Sequence, residues 1–269
     1  MKKFAPHILI GLAVLVVVIV GIVVFTVGKK NNTNANVTPT PTKKKVSKPV
    51  NQIPFEERPY VLMAPSAGRE VDVNVIKIPK AADSVEYLAE YQFGTSLGGN
   101  EQFIDLQKGE HSKQFALYSR SAGGKTSYEE DVQGGTLRLD FAGQNAYSLQ
   151  QEWKYIDNKN KQTTFASKDG KFSVASKDLG TIRYGIIYNS PGLPEDIEGN
   201  RISEVYTLAF SAPSAVKKAE VTIVTTTGAT DATIMGWTGK EWRTYEASMN
   251  GNTATASVDF NEAYVVVSK

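Results

Sequence analysis

Along most of the chain after residue 60 the side chains alternate between apolar and polar, and a period of two belongs to β-strands, whose successive residues point to opposite faces. Val71, Val73 and Val75 alternate with Asp72 and Asn74. Val85, Tyr87, Ala89, Tyr91 and Phe93 alternate with Glu86, Glu90 and Gln92, and Leu137 and Leu139 alternate with Arg138 and Asp140. Similar short runs occur at 171–176, 183–189, 205–210, 219–225, 232–237, 253–258 and 263–267. Between the runs lie turn-forming clusters: Ala122-Gly123-Gly124-Lys125, Gln133-Gly134-Gly135, Lys168-Asp169-Gly170, Thr238-Gly239-Lys240 and Asn250-Gly251-Asn252. No segment keeps a 3.6-residue period for three turns, which argues against a parallel α/β architecture. The expectation is an all-β fold, an antiparallel β-sandwich of immunoglobulin-like type. The polar stretch at 157–162 divides it into two tandem modules, 55–158 and 159–269, with one larger sandwich as the alternative.

The N-terminus is of another kind. Residues 8–27 carry neither charge nor proline. At about 1.5 Å rise per residue such a helix spans the ~30 Å hydrocarbon layer of a bilayer. The run is longer than a cleaved signal requires and no small-x-small site follows it, so residues 8–28 read as an uncleaved signal-anchor behind a short cytoplasmic tail, 1–7. Residues 29–54 contain almost no large apolar side chain and alternate Thr with Pro, the composition of an extended stalk. With no cysteine, lipid attachment through a thioether, thiolate metal sites and disulfides are all excluded.

Charge is divided along the chain. Eight of the 30 Lys and Arg residues precede Asn51 and none of the 28 acidic residues does, so the remainder carries 22 basic against 28 acidic groups, about −6. That acidic balance disfavours nucleic acid as a partner. Six of the lysines lie in the stalk, where they suit either anionic head groups or simple solvation. Counting lysines beside the span favours a cytoplasmic C-terminus. Long downstream domains nevertheless translocate largely regardless of charge, and a Thr/Pro/Asn stalk before β-domains is typical of exported chains, so the C-terminal part is placed outside the cytoplasm at the cell membrane.

Near the C-terminus, Trp237-Thr238-Gly239-Lys240-Glu241-Trp242 forms a hairpin with Trp at both shoulders, followed by the Asn250-Gly251 turn and a run holding Phe260, Tyr264 and Val265 to Val267. This resembles the closing strands of sandwich domains in bacterial surface proteins. The resemblance covers about the last 40 residues, implies the fold and a surface location, and carries over no functional residue. The aromatic residues Trp237, Trp242, Tyr245 and Tyr264 are candidates for a sugar-stacking face, although most such residues in sandwiches are core.

Gly94-Thr95-Ser96-Leu97-Gly98 matches the G-x-S-x-G of a nucleophile elbow after a strand-like run, with Asp105 and His111 as partners for Ser96. The apolar pattern that follows is too short for the helix an elbow feeds, so a Gly-rich loop between strands is preferred. Ser214-Ala215-Val216-Lys217 matches S-x-x-K without the later K-T-G, and Gly124-Lys125-Thr126 lacks both the first glycine and the helix of a phosphate loop. Acidic residues cluster at Glu129-Glu130-Asp131 and at Glu195, Asp196 and Glu198, oxygen-rich but without the spacing of a calcium loop. No pattern calls for a cofactor. The sequence therefore favours a non-enzymatic module that binds glycan, cell-wall polymer or a protein partner, with a tethered serine hydrolase using Ser96 as the alternative.

Overall fold

The computed structural model describes residues 49–66, 69–211 and 216–268. The expected anchor at 8–28 and the expected stalk as far as residue 48 lie outside them. Among the described residues no helix is long and apolar enough to cross a membrane.

The regular structure is nearly all β and every strand pairing is antiparallel, as the alternation requires. Among the described residues there are twenty strands, numbered β1 to β20 in chain order. The largest sheet runs β17 (Trp242–Glu246), β16 (Ala232–Trp237), β20 (Ala263–Ser268), β14 (Val205–Phe210), β12 (Tyr184–Ser190), β9 (Tyr147–Asp157), β8 (Val132–Ala142), β3 (Ser84–Phe93), β4 (Ser96–Asp105), with β13 (Asn200–Arg201) paired to β20. A three-stranded sheet joins β1 (Tyr60–Ser66), β2 (Glu70–Lys77) and β5 (Ser112–Ala116). A five-stranded sheet runs β10 (Thr164–Ala166), β11 (Phe172–Ala175), β15 (Lys218–Val224), β19 (Thr253–Asp259), β18 (Ser248–Asn250), and β6 (Tyr118–Arg120) pairs with β7 (Thr126–Tyr128).

The three-stranded and five-stranded sheets pack on opposite faces of the large one. Val61, Met63, Val71 and Val73 from the three-stranded sheet meet Val85, Tyr87, Leu137, Leu149 and Trp153 in one core. Phe172, Val174, Val221 and Ala256 from the five-stranded sheet meet Tyr206, Leu208, Ile234 and Val266 in a second. Strand β12 serves both: Ile186 and Tyr188 enter the first core and Ile187 the second, because neighbouring residues of a strand face opposite ways. The expected module boundary at 157–162 therefore falls within a shared sheet. Strands β9 and β12, on either side of it, pair from Tyr184↔Asp157 to Tyr188↔Trp153. The polar stretch is itself a fixed turn, since buried Asn158 accepts from Gln162 N (2.7 Å) and donates to Leu179 O (2.9 Å) and Gln162 O (3.1 Å).

One glycine cluster is not a turn. Gly134 and Gly135 lie inside β8, where the register shifts at Gln92/Phe93 and Gly134 takes φ +89. A Cβ at Gly135 would come within 2.1 Å of Glu90 O, and one at Gly134 within 2.4 Å of Trp153 O. The pair is a bulge that lets β8 pass between its two neighbours. The other four clusters are turns, as the spacing implies.

In the β10–β11 turn, Asp169 accepts from Ser167 Oγ (2.5 Å), Tyr206 OH (2.9 Å), Lys171 N (3.0 Å) and Asn189 Nδ2 (3.2 Å). Burial on its own pushes the carboxyl up, and these four donors outweigh it, holding the group below the ordinary aspartate range. Asp169 therefore ties the second core's outer hairpin to β12 and β14. A lowered folded pKa stabilises above the unfolded value of about 3.9 and the contribution fades as pH falls through the folded value. Asp169→Ala is expected to lose about 1.5–3 kcal/mol at pH 7. In urea denaturation the gap from the parent protein should narrow at pH 3.

Candidate functional site

Strand β3 turns into β4 through Gly94-Thr95, with Phe93 paired to Ser96 and Gly94 at φ +50. The G-x-S-x-G segment is thus a tight hairpin that continues into a strand, and no helix follows. Ser96 opens β4 and Asp105 closes it. At about 3.3 Å per residue the two stand roughly 30 Å apart. His111 is exposed in the turn beside Asp105, whose carbonyl accepts from Glu110 N (3.1 Å), and Asp105 itself pairs with Lys108 at 2.8 Å. Ser96 and Asp105 thus stand at opposite ends of β4, with His111 beside Asp105, and these three candidates do not converge. The folded protein is expected to stay unlabelled by a fluorophosphonate probe; labelling that vanished in Ser96→Ala would contradict this geometry.

The remaining motifs are likewise dispersed. Gly124-Lys125-Thr126 turns β6 into β7, with Gly124 at φ +80. Ser214 lies outside the described residues. Glu130 pairs with Arg69 and Lys159, both at 3.3 Å. Asp157 joins the same cluster through Lys159 (3.4 Å), Arg183 (2.8 Å) and Arg69 (3.8 Å), an ionic clasp over the junction between β9 and β12. Among the described residues no group of three or more His, Cys, Asp and Glu side chains is placed to hold a metal ion. Of the calcium candidates, Asp196 pairs with Lys77 at 3.2 Å, Glu195 uses its carbonyl to accept from Trp242 Nε1 at 3.1 Å, and Glu198 is exposed.

The aromatic candidates split for a simple reason. Trp237 and Trp242 are cross-strand partners, their rings 5.4 Å apart at 60°, and Trp237 is buried with Tyr60 and Ala263. Tyr245 stands three residues beyond Trp242 on the same strand and so points to the other face, where its hydroxyl accepts from Asn261 Nδ2 at 3.1 Å. Tyr264 is buried in the second core. Trp237, Trp242 and Tyr245 consequently do not form one stacking platform.

What the fold assembles instead is a pocket of about 460 Å³ between the segment leading into β1, the end of β2 and the loop joining β12 to β13. Phe55, Arg58, Lys77, Leu193, Ile197 and Arg201 contribute to its walls, together with Glu56 and Asp196. Its shape is set by backbone. Gly192 in the β12 exit turn lies so close to the β1 lead-in that a Cβ there would approach Arg58 O to 2.2 Å. The ring of Phe55 carries two guanidinium groups, Arg201 Cζ at 3.7 Å and Arg58 Cζ at 6.0 Å from its centroid. Arg58 is held through Nε to Ile53 O (3.1 Å) and Nη2 to Asn51 O (3.0 Å), and Arg201 Nη1 donates to Ser203 O. Burial is the main cause holding the Arg201 guanidinium below the usual arginine range; Glu204 opposes it, and the neighbouring Arg58 charge adds to it. Sequence reasoning missed both arginines because they stand 143 positions apart, flank no recognisable motif and meet only through the pairing of β13 with β20 and the seat of Gly192. No protein-family model, curated protein or solved structure matches the chain.

Proposed function

We propose that the chain is a membrane-tethered, non-enzymatic surface module. Residues 8–28 anchor it, and of the expected stalk 29–54 the part up to residue 48 spaces it from the bilayer, since Asn51 is already docked on β9 through Ser148 O at 2.9 Å and Gln150 O at 2.9 Å; the β region offers a binding or structural face to glycan, cell-wall polymer or a protein partner outside the cytoplasm. The observation that carries the tether is the run 8–27, free of charge and proline and of the length a bilayer demands. Two-layer packing on either side of the large sheet supports the β-sandwich reading, of which the immunoglobulin-like arrangement is the narrower form. The separation of Ser96 from His111 and Asp105 removes geometric support from the hydrolase alternative.

Fractionation tests the tether. The full-length chain is expected in the membrane fraction, released by detergent but not by high salt, and cleaved by protease added to intact cells. Recovery in the soluble fraction, or protection from that protease, contradicts the reading. Retention of the detergent-solubilised chain on a cell-wall or polysaccharide preparation tests the binding role, and a full panel with nothing retained argues against glycan.

A further inference from the structure

The cations of the pocket are not balanced by the ion pairs of the fold. Among the described residues, neither Arg58 nor Arg201 has a carboxylate oxygen within 4.0 Å, whereas Lys77 is already engaged by Asp196. Glu56 and Glu204 act on Arg201 only from farther off. A guanidinium has five N–H donors, and those in use here go to backbone carbonyls: Arg201 spends Nη1 on Ser203 O, and Arg58 spends Nε and Nη2 on Ile53 O and Asn51 O. Arg201 Nε and Nη2 and Arg58 Nη1 thus remain without a protein acceptor among the described residues. Two like charges are held against one aromatic ring, partly removed from water, with donors left over and side chains already fixed by other bonds. Such an arrangement is costly unless something shares it, and the complementary group is an oxyanion, which accepts paired N–H bonds from guanidinium.

The size of the pocket says what the anion is attached to. About 460 Å³ lies within the roughly 300–1,000 Å³ of small-molecule sites and far exceeds what a bare ion fills. The rest of the wall combines apolar surface, from the Phe55 ring, Pro79, Leu193 and Ile197, with polar groups, Asn200, Glu56 and the Lys77–Asp196 pair. Gly192 and the β13–β20 pairing build the cavity from backbone, so its form does not depend on the ligand.

We infer that this pocket binds a small organic oxyanion, a phosphate ester or carboxylate on a sugar- or glycerol-sized body, through Arg58 and Arg201. This deepens the surface-module reading by naming a ligand chemistry for it, and the test below is independent of where the chain resides.

Isothermal titration of the full-length chain in non-ionic detergent, with glycerol 3-phosphate, glucuronate and inorganic phosphate as probes and glycerol and glucose as neutral controls, examines it. At least one organic anion is expected to bind saturably at one site per chain, more tightly than inorganic phosphate, while the neutral compounds give no saturable heat. Preference for glycerol 3-phosphate marks a phosphate-bearing source and preference for glucuronate a carboxylate-bearing one. Arg201→Met and Arg58→Met should each weaken binding at least tenfold, and Lys240→Met, at the tip of the β16–β17 hairpin, should leave it unchanged. Should either arginine variant fail to fold, Asn200→Glu decides, since it keeps both arginines and adds a competing carboxylate to the exposed wall of the same pocket: loss of binding supports the site, retention overturns it. Absence of saturable binding by all three anions, or equal affinity in Arg201→Met, also overturns it and leaves the membrane tether standing.

Discussion

Residues 49–158 and residues 159–269, each expressed without the other, are expected to show no cooperative unfolding transition, whereas 49–269 unfolds in a single one. The reason is β12. The first fragment keeps the three-stranded sheet and β3, β4, β8 and β9 but loses Ile186 and Tyr188 from its core, the Ser190 Oγ that accepts from Val61 N at 3.1 Å, and every hydrogen bond along one edge of β9. The second keeps β12 but strips its Ile186 and Tyr188 face of cover. Each large apolar side chain so exposed forfeits roughly 1.5–3 kcal/mol, against a total stability of about 5–15 kcal/mol for a domain. Far-ultraviolet and near-ultraviolet circular dichroism during urea titration read the result directly. A cooperative transition in either half would mean that the cores are separable.

Trp153→Ala is expected to destabilise the protein by about 3–5 kcal/mol, the largest effect of any single truncation in the first core. Trp153 has no exposed surface, and its ring meets Tyr91 at 6.0 Å and Phe115 at 5.9 Å, both edge-on. Edge-to-face pairs add about 0.5–1.5 kcal/mol to the burial itself. No hydrogen bond is lost, because Nε1 has no partner among the described residues. Trp153→Phe should therefore cost less than half as much as Trp153→Ala, and chemical denaturation of the two variants side by side checks the ratio. Equal costs would place the value of Trp153 in its nitrogen rather than in its ring.

Much of this architecture was legible because alternation reports burial on one face. The runs at 205–210 and 232–237 coincide with β14 and β16, and those at 183–189 and 219–225 differ from β12 and β15 by one residue at each end. Strand β4 escaped because its Ser96-Leu97-Gly98-Gly99 start lies at an exposed edge of the sheet, where no face needs an apolar set. Strand β9 escaped because Gln151 interrupts the series Tyr147, Leu149, Trp153, Tyr155. The polar stretch at 157–162 lies between β9 and β10, and β9 pairs with β12 in the same sheet. Polarity there signals a turn, and only the three-dimensional pairing tells whether the strands on either side part or rejoin. The pocket was illegible altogether, since neither Arg58 nor Arg201 carries a local signature and their approach depends on a contact between backbone segments distant in sequence.

The closure of β1 fixes the order in which a growing chain can become resistant to attack. Tyr60 packs with Trp237 and Ala263, and its hydroxyl donates to Glu262 Oε1 at 2.7 Å, across 202 positions of sequence. A ribosome delivers Tyr60 well before these partners, which follow it by 177 to 203 positions, so contacts so remote can reward loop closure only late. Strand β1 can pair with β2 as soon as both are made, but until the distant partners of Tyr60 are in place that end of the strand stays uncovered for chaperones or proteases to find. The arrival of Trp237, Glu262 and Ala263 locks the entrance to β1 in place.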